Sequence, residues 1–107
     1  VTDETTLGGY LIKHQRPPAF GGPDGRAYSV AVMLSDEPDT DGRFGAALLF
    51  VRWSEAGDAP DGHVETGYVA FGGSREEAER AAQALSLHDV KGHLDRAVEA
   101  RQREPDW

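Results

Sequence analysis

Residues 44–54 (FGAALLFVRWS) are apolar on both sides of an extended chain. Phe44, Ala46, Leu48 and Phe50 fall on one side, and Ala47, Leu49, Val51 and Trp53 on the other. A strand of this kind wants hydrogen-bonded neighbours on both edges and cover on both faces, so it is expected at the centre of a sheet with other structure packed on it. Its unbroken apolar run, 44–51, is far shorter than the roughly 20 residues needed to span a bilayer.

Three other segments have strand character. Residues 9–16 alternate in part, with Tyr10 and Ile12 opposite Leu11, Lys13 and Gln15. Residues 27–35 place Tyr28, Val30, Val32 and Leu34 opposite Ala27, Ser29, Ala31 and Met33. Residues 63–71 place Val64, Tyr68 and Ala70 opposite Val69 and Phe71. The connections read PPAFGGPDG (17–25), DEPDTDG (36–42) and EAGDAPDG (55–62). Proline fixes φ, glycine permits positive φ and aspartate supports local turns, so each is a turn or loop. All three are too short for a helical crossover, and an antiparallel meander follows.

At Ser74 the period changes. Ser74 and Glu77 form a capping-box signature ahead of Ala78, Ala81, Ala82 and Leu85, which share one helical stripe. The small alanines imply a close approach to the sheet. Ser86 opens a second helix whose stripe is Leu87, Val90, Leu94, Ala97 and Val98, with Gly92 inside it. The expected fold is α+β: a four-stranded antiparallel meander followed by two C-terminal helices packed on one sheet face (ββββαα). The 107 residues are expected to form one domain, with 1–8 and 104–107 flexible. The chain begins with Val1, so it is compatible with a piece of a longer protein.

Charge limits the function classes. The net charge is −8, and Lys13, Arg16, Arg26, Arg43 and Arg52, the basic residues before the helices, are scattered. Such a chain repels phosphate backbones and anionic lipid, so neither nucleic acid nor membrane is an expected partner. The chain has no cysteine, which removes disulfides, thiolate metal sites and a cysteine nucleophile, and fits a reducing compartment such as the cytoplasm. Nine arginines against two lysines, with abundant glycine and alanine, suggest a GC-rich bacterial genome.

No constellation specifies a reaction, a catalytic residue or a cofactor. Glu37, Asp39, Asp41 and Gly42 resemble the start of a calcium loop, but the closing glutamate position falls on Leu48 within a strand. His88 and His93 point about 140° apart on a helix, a poor metal pair, whereas Asp89 and His93 share a face. His14 and His63 meet only if distant segments converge. No metal site is therefore expected. Arg52 and Glu65 interrupt apolar strands and, with His63, form the candidate ligand-binding group, the plainer reading being a cross-strand ion pair. Phe20, exposed by its Pro/Gly context, Trp53 and the terminal Trp107 are candidate interface aromatics. An apolar sheet face without helices is a usual route to a homodimer. The expected function is thus a non-catalytic binding or accessory module acting through that face, as a homodimer or with another protein. The alternative is a small enzyme or ligand-binding domain with a pocket near Arg52, Glu65 and His63.

Overall fold

The computed structural model describes residues 4–104. Its elements are α1 (Leu7–His14), β1 (Ala19–Gly21), β2 (Ala27–Leu34), β3 (Phe44–Trp53), β4 (Pro60–Gly72), α2 (Arg75–Gln83) and α3 (Leu87–Gln102). The strands form one antiparallel sheet in the order β1-β2-β3-β4, a meander with β3 inside it. Glycines at positive φ (Gly25, Gly42 and Gly57) stand in the three hairpin connections. No helix among the described residues is long and apolar enough to cross a membrane.

The helices pack on the face formed by Tyr28 and Val30 of β2, Ala46, Leu48 and Phe50 of β3, and Val64 and Ala70 of β4. The main core joins Tyr28, Val30, Leu48, Phe50 and Val64 to Leu7 of α1 and to Val90, Leu94 and Val98 of α3. A second cluster consists entirely of alanines, Ala46 and Ala70 from the sheet with Ala78 and Ala82 from α2. Small side chains let α2 lie low on the strands. The approach is closest at Gly72, where an added Cβ would come within 2.5 Å of the Ala78 amide nitrogen.

Both C-terminal helices start where their serines indicate. Ser74 Oγ accepts from the Glu77 amide at 3.1 Å, and Ser86 Oγ accepts from the Asp89 amide at 3.0 Å. Glu77 reaches back to accept from the Gly73 amide at 3.3 Å, one residue further than in the usual capping box. Gly92 lies in a continuous α3.

The first expected strand, 9–16, is instead helical. Thr6 caps α1 by accepting from the Gly9 amide at 3.1 Å, and Leu7 and Leu11, four residues apart, pack on the core. The partial alternation of this segment misled because Ile12 is 69 % exposed. Two glycines of low helix propensity disguise the helix start. Gly8 is required there, since its Cβ would lie 2.8 Å from that of Gln83. The chain ahead of α1 is tied to the α2–α3 junction, with Leu7 N donating to Leu85 O at 2.9 Å and Leu87 N to Thr5 O at 2.7 Å.

The fourth strand of the meander comes from within the 17–25 connection. Phe20 pairs with Tyr28 in β1 and packs half-buried against the main core. Its Pro/Gly surroundings therefore do not leave it exposed.

β4 runs longer than expected and carries three irregularities, between its pairings with Ala46 and Ala47, between those with Ala47 and Leu49, and between those with Arg52 and Trp53. At the second, Thr66 Oγ1 replaces a backbone acceptor and takes the Leu48 amide at 2.9 Å. An extra residue in one strand reverses the faces of the residues beyond it. Tyr68 thus leaves the face of Val64 and Ala70, where strict alternation put it, while Val69 packs toward the core.

Two glycine substitutions test this packing. Gly92→Ala should stabilise the protein by about 0.5–1 kcal/mol, because the new Cβ meets only the Arg96 guanidinium, with its nearest atom at 3.3 Å. Gly72→Ala should destabilise by about 2 kcal/mol or more through a backbone clash. Urea unfolding of the two variants should move the midpoint in opposite directions.

Candidate interaction surface

The sheet face away from the helices has no covering layer. Its residues follow from the register: Ser29, Ala31 and Met33 of β2 lie beside Val51, Leu49 and Ala47 of β3, which in turn lie beside His63, Glu65 and Tyr68 of β4. Phe71 lies beside Gly45 at one end, and Trp53 beside Pro60 at the other. Tyr68 is 56 %, Phe71 42 % and Met33 37 % exposed.

The two ends differ in relief. At the first, the Tyr68 ring lies over the Gly45 backbone, where a Cβ would be 2.6 Å from the ring. Tyr68 meets Phe71 edge to face, with 6.1 Å between ring centroids, and the Arg43 guanidinium sits 4.5 Å above the Phe71 ring. These side chains form a raised aromatic ridge. At the other end is an open hollow of about 440 Å³, floored by Leu49 and Val51 and walled by residues 60–63 and Glu65. Trp53 is half-buried nearby, its indole Nε1 donating to Ser29 Oγ at 3.1 Å.

His63 and Glu65 share this open face, with His63 Nε2 3.5 Å from Glu65 Oε1. They also line a groove of about 330 Å³ against the C-terminal turns of α3, near Ala97, Arg101 and Glu104. Arg52 is not brought to them, because it lies one residue out of phase with Val51 and Trp53 and so emerges on the helix-side face. There it joins the two hairpin loops at the β1–β2 and β3–β4 ends. Its Nε donates to Asp61 Oδ1 at 3.0 Å, and its Nη1 lies 3.8 Å from Asp24 Oδ2.

Asp24 accepts the Tyr28 hydroxyl at 2.6 Å and the Arg26 amide at 3.1 Å. Arg26 pairs with Asp61 and donates to the Trp53 carbonyl through Nε at 3.2 Å and Nη2 at 3.0 Å. Burial, reinforced by the hydrogen bond to Asp24, pushes the Tyr28 hydroxyl well above its ordinary pKa. For Asp61, desolvation acts upward, but the hydrogen bonds and charges of Arg26 and Arg52 outweigh it and hold the carboxyl below its ordinary value. The polar groups in this network satisfy one another and lock the loops. A space of about 420 Å³ beside it, bounded by residues 24–27 and by Ser54, Glu55 and Gly57, is where the two turn-rich loops come together.

The other sequence candidates serve local structure. Asp39 accepts from the Asp41 and Arg43 amides, each at 2.9 Å, and from Arg43 Nε at 3.2 Å, so the acidic loop closes on itself. The Arg43 amide bond is the main reason its pKa is lowered. No group of three or more potential metal ligands is gathered among the described residues. His93 is held below its ordinary pKa by burial and by Arg96, against the Asp89 carboxylate. His14 stacks on Tyr10 at 4.2 Å and lies 3.3 Å from Glu4, remote from His63 in sequence and in a different element. Trp107 lies outside the described residues. No family model matches this chain, and no curated protein or solved structure is significantly similar to it.

Two substitutions test the structural role of the network. Tyr28→Phe should cost about 2 kcal/mol in unfolding free energy, the scale of a hydrogen bond to a partly buried charged group. Asp61, with its folded pKa below the unfolded one, adds stability that is present above about pH 4 and lost as the pH falls further. Asp61→Asn should therefore lower the urea midpoint at pH 7, and the gap from the parent protein should narrow at pH 3.

Proposed function

We propose that this protein is a non-catalytic binding module that works through its open sheet face. The observation that supports this most directly is the continuous set Met33, Leu49, Val51, Trp53, Tyr68 and Phe71, left without helical cover on a rigid sheet. Large apolar patches on a folded domain mark protein contact sites, and aromatic residues supply most of the energy at such sites. Arg52, the expected clamp of a small-ligand site, is instead engaged with Asp24 and Asp61. The excess of acidic side chains favours a protein partner over a phosphate-rich one.

Native mass spectrometry of tagged protein isolated gently from its own host tests this reading. The expected result is a protein-sized added mass that disappears in Val51→Glu, a variant that places a charge on the face without touching the core. A bare chain in both samples would overturn the proposal. So would a metabolite-sized added mass that persists in Val51→Glu.

A further inference from the structure

We infer that the groove between the outer edge of β4 and α3 takes an extended, cationic segment of another protein, which adds to the sheet as a short further strand. This groove lies beside the open face and does not depend on that face being used. The edge itself supplies the first reason. The Leu48 amide is aimed at β4, where Thr66 Oγ1 accepts it. Alternation along β3 sends the main-chain groups of Phe50 and Arg52 the same way, toward their partners Val64 and Gly62. The amide and carbonyl groups of His63 and Glu65 therefore point away from β3, on a side where no strand meets them among the described residues. Residues 62–65 keep one register between the irregularities of β4, so a short strand finds regular spacing there. β1, the other edge strand, has three residues and offers no such length.

α3 completes the slot. Ala97, Ala100, Arg101 and Glu104 stand along the groove of about 330 Å³, opposite residues 63–65. Ala97 and Ala100 lack the bulk to hold an added strand away from the edge. A strand paired there puts the side chain opposite Val64 on the helix side of the sheet, against these alanines. Its neighbours fall on the other side, next to His63 and Glu65. The slot thus selects a medium apolar residue between two polar ones. Charge sets their sign. Arg101 is engaged by Glu104 at 3.4 Å, whereas the group nearest Glu65 is His63, charged only when protonated. Glu65 is the charge left for an occupant to meet. A chain of net charge −8 draws in a cationic segment and turns away an acidic one.

A fluorescently labelled heptapeptide, TVKVKVT, tests this by anisotropy against the whole chain. It should bind saturably, and the acidic counterpart TVEVEVT should not. N-methylation of the two lysine amides, which face the edge, should weaken binding by roughly tenfold or more through the loss of two hydrogen bonds. N-methylation of the valine between them, whose amide faces away, should leave binding within roughly twofold. Ala100→Gln, at an exposed helix position, should weaken binding by filling the slot. In amide NMR spectra of the protein, His63 and Glu65 should show the largest shifts on adding TVKVKVT.

An absence of saturable binding by TVKVKVT would overturn the inference. Equal binding of the two peptides, or greater sensitivity to methylation at valine than at lysine, would do the same. Largest shifts at Met33 and Leu49 would overturn it by placing the peptide on the open face. Self-association that moves the His63 and Glu65 amides without peptide would overturn it in favour of a second copy at the same edge.

Discussion

β3 has two apolar faces, and the helices cover one of them; much of what is distinctive in this molecule depends on that imbalance. Phe44–Trp53 is held between β2 and β4, so its backbone is paired on both sides. Its even-numbered residues Ala46, Leu48 and Phe50 are fully buried. Its odd-numbered residues Leu49, Val51 and Trp53 keep partial exposure on the other face. The short dimension of the molecule, 21 Å, has room for one sheet and one helical layer. An apolar side chain at Val51 contributes little to the core on the far side of the sheet, so stability alone gives weak reason for it to be there.

The helix-covered face is built by two different kinds of packing. Near α3, large side chains interdigitate: Tyr28, Phe50 and Leu48 with Val90, Leu94 and Val98. Near α2, alanine meets alanine, and the helix start presses onto Gly72. The layer therefore lies lower over the Ala46–Ala70 end of the sheet than over the Tyr28–Phe50 end. Arg52, Asp24, Asp61 and Arg26 meet beyond that second end, beside the buried Tyr28 ring. Their ion pairs tie the two hairpin ends together, and one of these ends walls the open hollow at Pro60 and Asp61, so that wall is positioned from the helix side of the sheet.

The sequence made the meander, both serine caps and the alanine stripe legible, because each rests on a short-range pattern: period-two alternation, a capping oxygen, or small residues at helical spacing. The errors came where a longer-range requirement outweighed the local pattern. Residues 9–16 look like a weak strand, yet Leu7 and Leu11 find core partners only as a helix, with Gly8 pressed against Gln83. Phe20 looks exposed among prolines and glycines until β1 pairs it with Tyr28. Strict alternation puts Tyr68 on the wrong face, because a bulge is invisible to an alternation count. Thr66 at that bulge, with its hydroxyl on the Leu48 amide, and Gly67 beside it were the available signals. Arg52 and Glu65 do interrupt apolar strands, but an even and an odd position diverge across a sheet, and register alone decides which residues they meet.

The same bulges bear on how the open face would be used. β4 is an edge strand of thirteen residues, long enough to invite edge-to-edge pairing with another sheet. Bulges twist and interrupt an edge, so the ladder of donors and acceptors along β4 is a poor template for a continuous extension. They also turn Tyr68 onto the open face, next to Phe71, and so raise the ridge. One local irregularity thereby discourages long pairing at the edge and adds apolar relief to the face. Glu65 acts in the same direction on the open face: a carboxylate beside Leu49 and Val51 penalises any partner that cannot keep it solvated or paired. His63, 3.5 Å away, is the nearest group able to offset that charge. A face of this composition would be selective at modest affinity, whereas an uninterrupted apolar face on an unbulged sheet would be adhesive to many partners.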